Sequence, residues 1–103
     1  MKYETDRETD QYLNEMASYG IPTHCREGLV KYIVYGVPTG GFLRAVLSND
    51  LKETYATADD TNGHYVRNYV QFLYSVAPSA CWGSPEKYEV WIKIRGLKGV
   101  TNA

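Results

Sequence analysis

Apolar side chains recur along this chain every three or four residues, and glycine or proline interrupts each run. Tyr12, Leu13, Met16 and Tyr19 fall on one face of a helix, which Gly20 stops. Thr5 and Glu8 match a capping box at its start. Pro22 suits the first turn of a second helix, where a missing N–H costs nothing. Cys25, Leu29, Tyr32 and Ile33 form its stripe, and Gly36 ends it. Phe42, Leu43, Ala45, Val46 and Leu47 predict a short helix that is apolar almost all round, a pattern that goes with burial. Asp50 with Glu53 resembles a cap pair, so a fourth helix is expected from Leu51 to Ala58. The alternative is one helix running through Ala58, with Asn49 and Asp50 on its polar side. Asp59 to Gly63 is a turn and a start signal. Tyr65, Val66, Tyr69, Val70, Leu73 and Val76 or Ala77 then give the best amphipathic pattern in the chain, closed by Pro78. Ser84-Pro85-Glu86 starts the last helix: a cap, a proline at the first position and an acid at the positive dipole end. Tyr88, Trp91, Ile92 and Arg95 share a side; Gly96 ends the helix, and Leu97 to Ala103 is expected to fray. Val90 to Ile94 also alternates like a strand, but no partner strand is evident. The expected fold is all-α, a compact bundle of five or six short helices in a single domain spanning 1–103.

One pentapeptide occurs twice: Tyr19-Gly20-Ile21-Pro22-Thr23 returns as Tyr35-Gly36-Val37-Pro38-Thr39. Glycine just past a helix adopts the left-handed conformation that closes the last turn. The following Ile21 or Val37 folds back on the helix it leaves, and proline forbids continuation. The repeat therefore reads first as a helix corner. In the second copy two more glycines, Gly40 and Gly41, follow.

Composition narrows the function classes. The net charge is −1, so the overall field attracts neither nucleic acid nor acidic membrane. Met1 to Met16 carries two basic against five acidic side chains, which leaves the rest about +2, too weak for a duplex-binding face. No apolar run approaches the roughly 20 residues of a membrane span, and the amino end is too polar for a signal peptide. Two cysteines, Cys25 and Cys81, are too few for a disulfide scaffold and read as buried small side chains in a reducing cytosol. Ten tyrosines against two phenylalanines suit half-wet core edges, interfaces or ligand stacking.

Catalytic and metal signatures are sparse. His24 and His64 lack a second ligand at metal spacing. His24 and Cys25 are adjacent, so they point about 100° apart on a helix. Asp50 or Asp59 with His64 is the one hydrolase pairing to consider. No cofactor is expected. Thr39, Gly40 and Gly41 ahead of Phe42 offer unpaired N–H groups at a helix start, glycines permit close approach of an anion, and Arg44 lies one turn in, able to add a charge-assisted fork. The same residues also suit a tight corner where only glycine fits. Trp82, between Cys81 and Gly83, either plugs the core or offers a stacking surface.

From Ile21 to Trp91 the chain resembles a family of small bacteriophage and prophage proteins. The resemblance rests on Ile21-Pro22 and His24, Pro38-Thr39-Gly40-Gly41-Phe42-Leu43, Ala45-Val46-Leu47, Asn49-Asp50-Leu51, Ala58-Asp59, Asn62, and Pro78 with Cys81-Trp82-Gly83-Ser84-Pro85. The first helix lies outside it. The resemblance implies a phage origin, an accessory role in the host bacterial cytoplasm and no enzyme. It suggests a counter-defence factor that sequesters a small anionic ligand such as a cyclic nucleotide second messenger, held by Thr39, Gly40, Gly41, Arg44, Asn49, Asp50 and Trp82. The alternative is a protein-interaction module that blocks a host factor, docking through its acidic first helix and exposed tyrosines. Tyrosine-rich faces suit self-association, so a homo-oligomer is expected.

Overall fold

The first corner joins helix α1 (Arg7–Ser18) to helix α2 (Thr23–Tyr35) in the computed structural model, which describes residues 7–102. Gly20 has a φ of 74°. Its amide donates to the Ala17 carbonyl, and the Ile21 amide donates to the Met16 carbonyl. These two bonds satisfy the last carbonyls of α1, and they drive Ile21 into the core, where it is fully buried. Met16 is equally buried. The first helix is thus built into the core through Met16. Thr5 of the expected capping box lies outside the described residues.

The second corner differs. Gly36 closes α2 with a φ of 68°, yet Pro38 starts no helix, and helix α3 begins only at Gly41 (Gly41–Leu47). The Thr39 amide donates to the Tyr88 hydroxyl at 2.9 Å, and Gly40 is extended at φ −70°, ψ 178°, which holds the segment open. Helix α3 is closed by Asn49, which lies just past the Ser48 cap and has a φ of 61°. The Asn49 and Asp50 amides donate to the Val46 and Ala45 carbonyls, the bond pair seen at Gly20 with asparagine in the left-handed position. Asp50 then caps helix α4 (Leu51–Thr57), accepting from the Glu53 amide at 3.1 Å. The single helix through Ala58 is therefore replaced by two.

Asp59 caps helix α5 (Asp60–His64), a short helix where a turn was expected, and Tyr65 separates it from helix α6 (Val66–Ser75). A 3-10 turn, Ser79–Cys81, precedes Ser84, which caps helix α7 (Pro85–Lys93) by accepting from the Lys87 amide. Val90 to Ile94 is not a strand. Gly96 does not end the chain's last helix; it opens helix α8 (Gly96–Asn102), and Leu97 packs against the core instead of fraying. The fold is all-α, with eight α-helices among the described residues instead of five or six. The additional helices come from the Asn49 and Tyr65 breaks and from the Gly96 pivot.

That pivot fixes the far end of the bundle. Gly36 and Gly96 meet backbone to backbone: a Cβ on Gly96 would lie 2.6 Å from the Gly36 nitrogen and 2.8 Å from the Val34 oxygen. Beside them the Trp91 indole N–H donates to the Tyr32 and Ile33 carbonyls, each at 3.1 Å. The end of α2 is thus sealed by α7 and α8. An ion pair between Lys98 and Glu8, 2.7 Å long, ties α8 to α1.

Three of the ten tyrosines have a structural role in the core. Tyr32, Tyr69 and Tyr88 are buried, and each hydroxyl has a partner: Tyr32 donates to the Cys81 carbonyl at 2.6 Å, Tyr69 to Asn62 Oδ1 at 2.6 Å, and Tyr88 meets Thr39. Each ring fills core volume while its hydroxyl satisfies a loop or a polar side chain, which phenylalanine cannot do.

Candidate functional site

The glycine-rich start of α3 faces solvent. Gly40 has open space around it, with nothing within 4 Å of a Cβ. Its carbonyl accepts from the Arg44 amide at 3.0 Å. No described residue accepts from the Gly40 or Gly41 amide, whereas the Thr39 amide is occupied. The Thr39 hydroxyl also lies 3.0 Å from the Tyr88 hydroxyl. Thr39 therefore anchors α7 to the corner, and its backbone N–H is not available to a ligand. Tyr88 is the residue that sequence reasoning missed here. The Ser84 cap placed it on the inner face of α7 beside Trp91, but its reach to a residue 49 positions away has no local signature.

Arg44 is only loosely held. Its guanidinium is 3.7 Å from the Glu89 carboxylate, with both side chains more than half exposed, and lies 5.8 Å from the centre of the Tyr88 ring. An exposed pair of this kind contributes about 0.2–1 kcal/mol, so a ligand can displace Glu89. Gly41 and Arg44 line a cleft of about 350 Å³ between α3 and α4 that also carries Asp50, Glu53 and Pro85. One cation faces two carboxylates there. A bare anion gains little in such a cleft; a ligand that brings donors as well as an anionic group is better matched.

A second groove, about 320 Å³, runs beside it between α4 and α6. Asn49, Asp50, Leu51, Val70 and Trp82 line it. Trp82 is half-buried and packs on the core, so it both plugs the core and contributes to the groove wall. Its loop is pinned to α3 by the Gly83 amide donating to the Leu47 carbonyl at 2.9 Å. Asn49 has a backbone duty, since it supplies the left-handed residue that closes α3. Asp50 belongs to both clefts. One of its oxygens accepts from the Glu53 amide; the other has no partner among the described residues.

Elsewhere the structure assembles a polar hub that the sequence did not announce. Asn62 is buried. Its side chain accepts from Tyr69 and lies 3.5–3.6 Å from the Cys25 sulfur, and its amide donates to Asp59 at 2.7 Å. Asp59 in turn stands 3.4 Å from His24. This chain of contacts fastens α5 between α2 and α6. The hydrolase pairing is not assembled as expected: Asp59 faces His24, and His64 sits against the Tyr65 ring. The residue pattern made Asn62 legible as a turn residue; its bond to Tyr69 crosses the break at Tyr65, from α5 to α6.

The two thiols differ sharply. Cys81 is fully buried, and burial pushes its thiol up to about 12. Cys25 is partly exposed. An alkylating reagent at neutral pH is expected to modify Cys25 while leaving Cys81 protected until the protein is denatured. Labelling of both at equal rates in the native state would contradict this burial.

The described residues contain no group of three His, Cys, Asp or Glu side chains placed to hold a metal ion. No helix among them is long and apolar enough to cross a membrane. Fold and site together define a small all-α protein with a mixed-charge cleft and an apolar groove that share one carboxylate. Compared with protein-family models, curated proteins and solved structures, the chain matches none of them.

Proposed function

We propose that this protein is a non-enzymatic binder that sequesters a small anionic ligand of the cyclic nucleotide class, acting as a phage counter-defence factor in the host bacterial cytoplasm. One observation carries the reading: Gly41, Arg44, Asn49, Asp50 and Trp82, scattered over 42 positions of the sequence, line two clefts that meet at Asp50. The resemblance to small phage proteins supplies the biological setting.

The chemistry of the two clefts supports this choice of ligand class. Arg44 with the Gly40 and Gly41 amides, which have no acceptor among the described residues, suits a phosphate oxygen. The unoccupied Asp50 oxygen can accept from the amino edge of a base. The Trp82 side of the groove suits a base face, and stacking of that kind contributes about 1–3 kcal/mol per base. Inorganic phosphate satisfies only the first of these and meets two carboxylates.

Calorimetry against a panel of cyclic di- and trinucleotides, with inorganic phosphate alongside, tests the proposal. The expected result is binding of at least one cyclic nucleotide, silence from phosphate, and a loss of about 10- to 100-fold in affinity for Arg44→Ala, as for removal of a hydrogen bond to a charged group. No heat across the panel, or an unchanged affinity in Arg44→Ala, overturns it.

A further inference from the structure

Four large apolar side chains face solvent on two neighbouring helices. Leu51 is 70% exposed and Tyr55 57% on α4; Val70 is 42% and Tyr74 83% on α6. Each pair is spaced i, i+4 and so shares one helical face. The two faces are contiguous, because Leu51 and Val70 line opposite sides of the same groove, with Thr54 and Val66 between them. The core gives no reason for this arrangement, since Val66, Phe72 and Leu73 already bury the inner side of α6. Contiguous exposed apolar surface of this kind marks an interface.

We propose that the α4–α6 face packs against the same face of a second copy of this chain, forming an isologous dimer. Area favours this occupant. A tyrosine brings on the order of 150–250 Å², so these four side chains at their observed exposures supply roughly 500 Å² per copy, over half of the about 800 Å² that each partner contributes to a standard interface. Charge allows it too. A net charge of −1 places almost no repulsion between copies. Self-association is read without ligand, so its failure and the failure of the ligand reading are separable.

The test is the mass of the full-length protein in solution by light scattering or sedimentation equilibrium at high micromolar concentration. The chain weighs 11.7 kDa. The expected result is a mass of at least two chains, falling to a smaller species in Leu51→Lys and Tyr74→Lys. Both positions are largely exposed, so the circular dichroism and Tm of the variants should match the wild type measured under dissociating dilution. Ile94→Lys, at the cap just past α7, should leave the mass unchanged. A wild-type protein that stays monomeric overturns the proposal. So does an oligomer that survives both α4–α6 substitutions, since its interface then lies elsewhere.

Discussion

Gly96→Ala is expected to lose about 2–5 kcal/mol of stability. Two effects add. Gly96 has a φ of 66°, and a residue with a Cβ in that conformation costs about 1–2 kcal/mol. The new methyl would also lie 2.6–2.9 Å from the Gly36 nitrogen and the Val34 and Ile33 carbonyl oxygens. These are backbone atoms that cannot rotate aside, and overpacking of this sort costs about 1–3 kcal/mol. Separation of α8 from α2 also weakens the Trp91 bonds to the Tyr32 and Ile33 carbonyls. Against a total of about 5–15 kcal/mol for a domain of this kind, the loss is a large fraction. The internal control is Gly28→Ala. Gly28 lies inside α2, and an added Cβ would meet only Leu43 Cδ1 at an ordinary 3.7 Å. There alanine should stabilise by about 0.5–1 kcal/mol. Urea unfolding of the two variants checks both signs; equal effects would remove the Gly36–Gly96 contact from its structural role.

The second large effect is loss of the fold in base. Burial is the leading cause that raises the phenols of Tyr32 and Tyr69 above their ordinary 10.0 and the thiol of Cys81 above its ordinary 9.0. In all three the native value lies above the unfolded one. Their contribution is therefore fully present below about pH 9 and is lost as pH rises, because the unfolded chain releases protons that the native state retains. Each group removes about 1.4 kcal/mol per pH unit above its unfolded value. By about pH 11 the thiol has lost two such units and each phenol one, on the order of 6 kcal/mol together. Far-ultraviolet circular dichroism should show a cooperative transition near that pH, accompanied by tyrosinate absorbance. A fully helical signal retained past pH 12 would contradict the burial of these hydroxyls and this thiol.

Much of the fold was legible because helix ends are local events. Gly20 and Gly36 take the left-handed conformation expected of them, and Asp50 and Ser84 cap the helices their spacing announced. The miscounted helices have a common origin. Asn49 closes α3 with a positive φ that glycine usually supplies, Tyr65 breaks a pattern whose apolar spacing runs on regardless, and Gly96 turns the chain towards Gly36, a contact 60 positions away. Nothing within a helical window encodes such a contact. The candidate site was legible to the same extent. Gly40 and Gly41 stand outward as a glycine-rich helix start suggests. The capture of Thr39 by Tyr88 and of Arg44 by Glu89 depends on how α7 docks, which the local sequence does not specify. The hub at Asn62 shows the reverse case: a polar residue that looks like a turn is buried because Tyr69 and Cys25 complete its hydrogen bonds.

On the proposed reading, one surface, from the start of α3 across Asp50 to Trp82, receives the ligand. Titrating a cyclic di- or trinucleotide into the isotope-labelled protein, and following amide and indole resonances, tests this. The Gly40 and Gly41 amides and the Trp82 indole N–H should shift together and saturate at one ligand concentration, while Gly28, inside α2 and lining neither cleft, stays fixed. Shifts confined to other helices, or a Trp82 indole that never moves, would contradict the claim.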